Sequence, residues 1–286
     1  MTTSGATGSE AIAAQPRALI VTIYGLYARD CDGWFSIASL IRLMAELGVD
    51  EPAVRSAISR LKQRGLLESQ RRGGAIGYGV SGRGSEILAE GDRRIFHRSS
   101  SGHSDGWLLA VFSVPEQERA RRHALRSRLA WLGFGSVSAG VWIAPAHLAG
   151  ETRDVLVADG LAGYVSLFGA AYLAFGDVTE KISQWWDLDR LEQLYQAFID
   201  SASPVLAGWQ DGGVSPSAQP GRAFADYVRV LTAWRRLPFL DPGLPPGALP
   251  PDWHGSRAAE LFDDIEGLLG EAARKHVRGV TRPPAA

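Results

Sequence analysis

The sequence has few of the residues that build disulfide frameworks, metal clusters or membrane spans. Its 286 residues include one cysteine, Cys31, which excludes an internal disulfide, and its six histidines lack the spacing of metal ligands. No apolar run approaches the roughly 20 residues that a membrane helix needs. Residues 1–15 lack the basic and apolar segments of a secretory signal and are expected to be a disordered tail. These absences predict a cytoplasmic protein without membrane contact, metal or cofactor.

The composition is that of a globular protein, but the charge is unevenly distributed. Hydrophobic residues make up 45% of the chain and charged residues 21%, and the length suggests two or three domains. The net charge is −1, yet residues 55–72 contain six bases and one acid, whereas residues 177–266 contain seven bases and fourteen acids. Such asymmetry indicates an anionic partner for the basic stretch.

The first hundred residues follow the order of a winged helix-turn-helix. Hydrophobic spacing, caps and glycine stops predict these elements: a helix from Pro16 to about Arg29, an extended piece at 34–36, a helix at 37–47, a helix capped by Asp50 that ends at Arg64, strands at 66–70 and 76–80, and a helix at 82–96. The hairpin tip at 71–75 is basic and rich in glycine. In this order, the third helix is the one that enters a major groove.

The third helix and the hairpin tip carry the candidate DNA-binding residues. Arginine can bridge guanine O6 and N7, serine can meet several bases, and lysine and arginine neutralise phosphates. The candidates lie off the predicted buried stripe of this helix or at the tip: Pro52, Arg55, Ser56, Ser59, Arg60, Lys62, Arg64, Arg71 and Arg72. Each charge taken alone also fits a solvated helix face. Together, the clustered charge and the element order favour DNA.

A Ser/Gly-rich stretch at 98–105 is expected to link the winged-helix domain, 16–97, to a second domain at 106–178. Strands at 107–114, 137–143 and from Tyr164, with a basic helix at 116–132 and a helix at 148–158, predict a small ferredoxin-like α+β layer. Helices at about 188–201, 222–236 and 256–278 predict a C-terminal helical domain at 179–280. The predicted fold class is therefore α+β, with these three parts in order.

An ordered set of segments resembles the phenylacetate-degradation repressor family of the PaaX type. The segments are Arg17–Gly25, Val54–Leu61, Gly65–Leu67, Arg93–Phe96, Asp105–Trp107, Leu129–Gly135, Gly140–Pro145 and Leu249–Gly255. The resemblance extends from about Arg17 to Arg278. It implies a homodimer that binds operator DNA, represses genes for aromatic-acid catabolism, and is released by an aryl acyl-CoA thioester such as phenylacetyl-CoA.

Two departures from the family concern the effector and the operator. The family often has a tryptophan where this chain has His103-Ser104, and the hairpin tip here is unusually rich in glycine. For the effector, tryptophans are candidate pocket walls and arginines of the basic helix a candidate phosphate clamp. These candidates are Trp107, Arg122, Arg126, Trp131 and Trp142.

Two other classes of function stay open. The central domain also resembles the fold of small CRISPR-associated nucleases, whose metal chemistry needs an aspartate at the end of the first strand. Here that end reads Ser113 to Glu116 without aspartate, and Asp177 and Asp187 are expected to be loop or capping residues, so catalysis is not expected. A winged helix can also be a protein-interaction adaptor, which would lack the steep salt dependence of phosphate contacts.

Overall fold

A computed structural model of the chain describes residues 15–96, 106–173, 175–244, 249–250 and 252–282. Residues 1–14 of the predicted tail and the predicted linker at 98–105 lie outside these ranges. The helices are α1 (Pro16–Tyr27), α2 (Ile37–Glu46), α3 (Glu51–Gln63), α4 (Gly82–Phe96), α5 (Arg119–Trp131), α6 (Ala149–Ala158), α7 (Val178–Trp185), α8 (Leu188–Gln210), α9 (Pro220–Trp234), α10 (Leu237–Leu240) and α11 (His254–Thr281). The strands are β1 (Trp34–Ser36), β2 (Leu67–Arg72), β3 (Ala75–Val80), β4 (Trp107–Phe112), β5 (Gly135–Ser138), β6 (Val141–Pro145) and β7 (Val165–Ala170). The described chain is a mixed α+β protein with a helical C-terminal region, as predicted.

The chain divides into two compact units, each made of separated segments. The first unit contains residues up to Arg93, residues 198–235 and residues from Ala259 onward. The second unit contains residues 94–197 and 236–258. The predicted domain boundaries follow the order of the sequence, whereas these units join segments that are far apart in it. The boundaries stay a prediction.

Local signals account for the helices that precede the hairpin in the first unit. The side chain of Ser36 accepts a hydrogen bond from the Ser39 amide and begins α2, and Asp50 does the same for Ala53 at the start of α3. Gly65, with φ of +69°, follows the end of α3. The strands then form an antiparallel sheet in the order β1-β3-β2. This is the helix, strand, helix, helix, hairpin order that the sequence predicts.

The hairpin is tighter than predicted. The sequence suggests a five-residue tip at 71–75, but Arg71, Arg72 and Ala75 belong to the strands, and only Gly73 and Gly74 form the turn. Their φ values of +54° and +81° are both positive, as a two-residue type I′ turn requires, and glycine adopts them without steric cost. The short turn places both arginines on a paired strand instead of a loop.

Helices from the C-terminal part of the chain complete the core of the first unit. The buried hydroxyls of Thr22 in α1 and Thr232 in α9 are 2.8 Å apart. Trp234, which is fully buried, stacks on Phe262 of α11 with ring centroids 5.1 Å apart. Burial of one such aromatic side chain stabilises a fold by roughly 1.5–3 kcal/mol. The N-terminal helices therefore share one hydrophobic core with α9 and α11.

The second unit contains a four-stranded antiparallel sheet in the order β5-β6-β4-β7. With α5 and α6 as its crossovers, this is the β-α-β-β-α-β pattern of a ferredoxin-like layer. The single strand predicted at 137–143 is in fact the hairpin of β5 and β6. Gly140 turns the chain close to β4, where a Cβ atom would lie 2.7 Å from the Phe112 carbonyl oxygen. Among the described helices, none is long and apolar enough to cross a membrane.

Candidate nucleic-acid interface

Helix α3 separates a buried stripe from an exposed face. Val54, Ala57, Ile58 and Leu61 are at most 4% exposed and anchor the helix in the first unit. All nine predicted DNA-binding residues are exposed: Pro52, Arg55, Ser56, Ser59, Arg60, Lys62, Arg64, Arg71 and Arg72. Side chains must be exposed in this way to contact a DNA groove.

The helical repeat orders the side chains on this face. At about 100° per residue, Pro52, Ser56, Ser59 and Gln63 lie opposite the buried stripe, and Arg55 and Arg60 flank them on either side. Gln63 is exposed and was missed from the sequence, although the helix predicted to end at Arg64 contained it. Its spacing from Ser59 and Ser56, at i+4 and i+7, was the available signal. Glutamine can bond adenine N6 and N7.

The basic side chains of α3 differ in their protein contacts. The Arg55 guanidinium lies 2.6 Å from the Glu51 carboxylate one turn earlier. The ammonium of Lys62 lies 5.7 Å from the ring centroid of Tyr78 in β3. Within the described ranges, Arg60 and Arg64 form no ion pair. An anion therefore meets two unpaired guanidinium groups on this part of the surface.

The hairpin, which we call the wing (residues 67–80), contains two neighbouring arginines with different contacts. Arg72 donates to the Asp32 carbonyl oxygen at 3.2 Å and to the Gln70 side chain at 3.0 Å, with its guanidinium 5.6 Å from the Trp34 ring centroid. Arg71 is exposed and has no ion pair with another described residue. The two neighbouring arginines are thus not equivalent.

Hydrogen bonds join the wing, and the residue that follows it, to the helices. The Ser81 hydroxyl donates to the Gly65 carbonyl oxygen at 2.6 Å and accepts from the Gly84 amide at 2.9 Å, which joins the end of α3 to the start of α4. The Tyr24 hydroxyl of α1 donates to the Tyr78 carbonyl oxygen at 2.8 Å. Burial raises the pKa of Tyr24 far above its ordinary value, with the nearby Tyr78 a smaller cause, so this hydroxyl remains a donor.

The predicted effector residues do not lie together. Trp142 is 7% exposed in the core between the sheet and its helices, and Trp107 packs in a separate cluster with Trp185 and Trp186. Arg122 is bonded to Glu116 and to the Val114 carbonyl oxygen, and Arg126 is exposed without an ion pair in the described chain. These roles stay predictions.

Trp131, the remaining effector candidate, lines an open surface groove of about 610 Å³ in the second unit. The guanidinium groups of Arg94 and Arg128 lie 4.7 Å and 5.0 Å from its ring centroid. The other lining residues are Ala120, Arg121, Ala124, Ser127, Arg128, Asp159 and Leu161. The small side chains of this lining leave open space between the Trp131 ring and the two lining arginines, Arg121 and Arg128.

The two aspartates weighed for metal chemistry are helix caps. Asp177 accepts from the Thr179 amide at 2.8 Å, and Asp187 accepts from the Arg190 amide at 3.1 Å. No cluster of three or more potential metal-ligating His, Cys, Asp or Glu side chains is present in the described part of the chain. The capping roles are those expected from the sequence.

Three family models match successive parts of the chain. The model described as PaaX-like protein matches residues 15–84, the PaaX protein central Cas2-like domain matches 101–182, and the PaaX-like protein C-terminal domain matches 186–279. The first match contains α3 and the wing, and the second contains the four-stranded sheet. The resemblance inferred from the sequence is confirmed.

One curated protein and one solved structure add to these matches. The chain is 26% identical to the Transcriptional repressor PaaX of Escherichia coli (strain K12) over 258 residues, which cover 89% of this chain and 80% of that protein. It also matches Uncharacterized protein Rv0674 from Mycobacterium tuberculosis with a TM-score of 0.59 and 22% identity, over 93% of this chain and all of the other. The latter likeness shows the fold alone.

Proposed function

This chain belongs to the PaaX-like protein family, and on that premise we propose that it is a transcriptional repressor that binds operator DNA through α3 and the wing. The observation that carries the proposal is the exposed face of α3, where Arg55 and Arg60 flank a strip of small and amide side chains. Arginine and glutamine read base edges, and the unpaired arginines around them neutralise phosphates. The similarity to a transcriptional repressor supports the same function.

Two copies of the chain would read two half-sites. A symmetric dimer matches the two-fold symmetry of a palindromic operator and places its reading helices about one helical turn of DNA apart, or a multiple of it. We therefore propose a homodimer on a pseudo-palindromic site. Sedimentation of the protein alone and bound to operator DNA measures the stoichiometry directly, and one protein copy per operator would contradict the dimer.

We further propose that an aryl acyl-CoA thioester releases the repressor from genes of aromatic-acid catabolism. A ligand shifts DNA binding only if it binds the free and DNA-bound states unequally. The groove beside Trp131 supports an effector site in the second unit, because Arg121 and Arg128 line it and suit phosphates, with Arg128 exchanging its Asp159 partner for one.

Fluorescence anisotropy of the full-length protein with its own upstream promoter DNA tests these proposals in one titration. We expect nanomolar binding at moderate salt, and stepwise addition of phenylacetyl-CoA is expected to release the DNA. Free coenzyme A and phenylacetate are the matched controls for the two halves of the ligand. Binding that no thioester reverses would discard the effector and keep the repressor.

Absence of specific promoter binding at moderate salt would reject the repressor proposal. The protein-interaction adaptor would then be the better explanation of the winged-helix order. A scrambled promoter of the same length and composition separates the two functions, because an adaptor would bind the promoter and the scrambled DNA with the same affinity.

A further inference from the structure

We propose that the last turns of α11 extend the DNA-binding surface of the first unit by contacting backbone phosphates beside the wing. The contact residues are Arg278 and Arg282, in a basic ridge made of Arg274, Lys275, Arg278 and Arg282. The inference rests on the proposed DNA binding and adds a surface more than 200 positions away from α3 in the sequence. Its starting observation is the alignment of these four exposed side chains.

The basic ridge occupies one side of the helix. At about 100° per residue, Lys275 and Arg278 share one direction and Arg274 lies next to them. Arg282 directly follows the helix, where its amide donates to the Arg278 carbonyl oxygen at 3.1 Å, and all four side chains are exposed. The buried side of the same turns is apolar, with Ala273 and Val277 at most 1% exposed. From Arg274 to Arg282 the ridge is about 12 Å long, which spans several phosphates of a DNA strand.

The end of α11 lies on the same turn of the chain that the wing contacts. The Arg278 guanidinium is 3.2 Å from the Asp30 carboxylate, while Arg72 of the wing donates to the carbonyl oxygen of Asp32. Since these two aspartates are two residues apart, their Cα atoms lie within roughly 7 Å of each other. The basic ridge and the wing are therefore neighbours on one surface.

Helix α2 fixes the last turn of α11 in this position. The Arg42 side chain donates to the Val280 carbonyl oxygen at 2.8 Å, and the Ser39 hydroxyl donates to the same oxygen at 3.5 Å. Thr281 is 3.6 Å from the Cys31 sulfur. The end of α11 is thus bonded to α2, the first helix of the helix-turn-helix, and contacts the turn at Cys31 that precedes α2.

The charges around the ridge leave an excess of positive charge. Asp30 lies within 3.5 Å of both Arg274 and Arg278, and Glu271 lies within 3.8 Å of Arg274 and Lys275. Arg282 forms no ion pair with a described residue. Four bases thus face two acids, and such surface ion pairs are individually weak enough for a phosphate to compete with them.

Phosphates are the part of DNA that this ridge fits. The side chains are long and flexible and project from a helix outside the reading position, where contacts fix register without reading sequence. Each neutralised phosphate releases counterions and adds about 0.9 to the slope of log K against log salt. Removal of the ridge charges should therefore change the salt dependence and the affinity of DNA binding, but not the preference for one operator sequence over another.

The test compares the salt slope of operator binding for the wild type and the double variant Arg278→Gln/Arg282→Gln. We expect the slope to become shallower by about 1–2 and the affinity to fall equally for the operator and for scrambled DNA. The matched control is Arg153→Gln/Arg257→Gln, which removes the same charge from exposed arginines away from the ridge. Circular dichroism and melting curves establish that both variants are folded.

The variant Asp30→Asn tests the same surface with the opposite sign. It removes the carboxylate that competes for Arg274 and Arg278, so the slope is expected to become steeper and the affinity to rise. If the wild type binds the operator but the Arg278→Gln/Arg282→Gln variant has the same salt slope as the control variant, this inference alone is overturned. Absence of salt-dependent operator binding by the wild type would overturn the proposed function together with it.

Discussion

Helices α3 and α5 are both rich in arginine, yet their arginines meet different surroundings. On α5, Arg119 and Arg122 bind the carboxylate of Glu116, Arg128 binds Asp159, and Arg121 donates to the Gly160 carbonyl oxygen. On α3 and at its C-cap, the bases are Arg55, Arg60, Lys62 and Arg64, and among them only Arg55 has a carboxylate partner within the described chain. Three of the five arginines of α5 therefore have a carboxylate partner, against one of the four bases of α3 and its C-cap.

This comparison shows that counting basic residues does not identify a nucleic-acid surface. An exposed guanidinium that pairs with a carboxylate offers less net charge to a phosphate, by an amount that such a pair limits to about 0.2–1 kcal/mol. An exposed guanidinium without a partner costs only its side-chain entropy to immobilise, which is up to about 2 kcal/mol. The structure therefore favours α3 over α5 as the DNA-binding helix, and the following substitutions measure that difference.

Arg60→Ala is expected to have the largest effect. The loss of an unpaired arginine on the flank of the reading face should weaken operator binding by about 1–3 kcal/mol, roughly 5- to 150-fold, and relax specificity at one base position. Anisotropy titrations with the operator and with single-base variants measure both effects. Arg126→Ala, an unpaired arginine of α5, is the matched control, and equal losses for the two would remove the distinction between the helices.

Arg71→Gln is expected to weaken binding to all DNA sequences alike. Because the side chain is exposed beside the Gly73-Gly74 turn, it suits a phosphate or a narrow minor groove. We expect the salt slope to become shallower by about 1, with little change in the preference for operator over scrambled DNA. A change confined to one base pair, with an unchanged slope, would instead assign Arg71 to direct base readout.

Glu51→Gln is expected to strengthen binding modestly. The substitution releases Arg55 from its ion pair and removes a negative charge from the first turn of α3. Exposed pairs of this kind are worth about 0.2–1 kcal/mol, so the affinity should rise by roughly 1.4-fold to fivefold. Titrations at two salt concentrations measure the change, and weaker binding by a folded variant would show that the pair positions Arg55 for readout.

Glu116→Gln is expected to leave operator affinity within about twofold of the wild type. It releases Arg119 and Arg122 on α5, just as Glu51→Gln releases Arg55 on α3. If α5 does not face DNA, the extra positive charge has no effect on the salt slope. A steeper slope, equal to that of Glu51→Gln, would place α5 at the DNA as well.

Much of α3 and of the candidate site on it was predictable from local sequence. Asp50 caps α3, Gly65 follows its end, and the apolar period selects the buried stripe, so the exposed face follows from helical geometry. Gln63 was available from the same geometry but was not among the predicted residues. The family resemblance and the α+β class were also readable from the sequence, and both are confirmed.

Features that depend on contacts between distant residues were not predictable. The split of 137–143 into β5 and β6 depends on the close approach of Gly140 to Phe112, which alternating hydrophobicity does not encode. The difference between Arg71 and Arg72 depends on the Trp34 ring and the Asp32 carbonyl oxygen. Neither partner can be read from the composition of the hairpin tip.

The sequence by itself determined the elements of the first unit, because caps, glycine stops and the helical period act over a few residues. Only the tertiary structure decided which arginines keep a free charge and that the end of α11 lies beside the wing. Thr22 and Thr232 meet across 210 positions, and Asp30 meets Arg278 across 248. Such pairings result from the burial of a shared hydrophobic core, which has no local signature in the sequence.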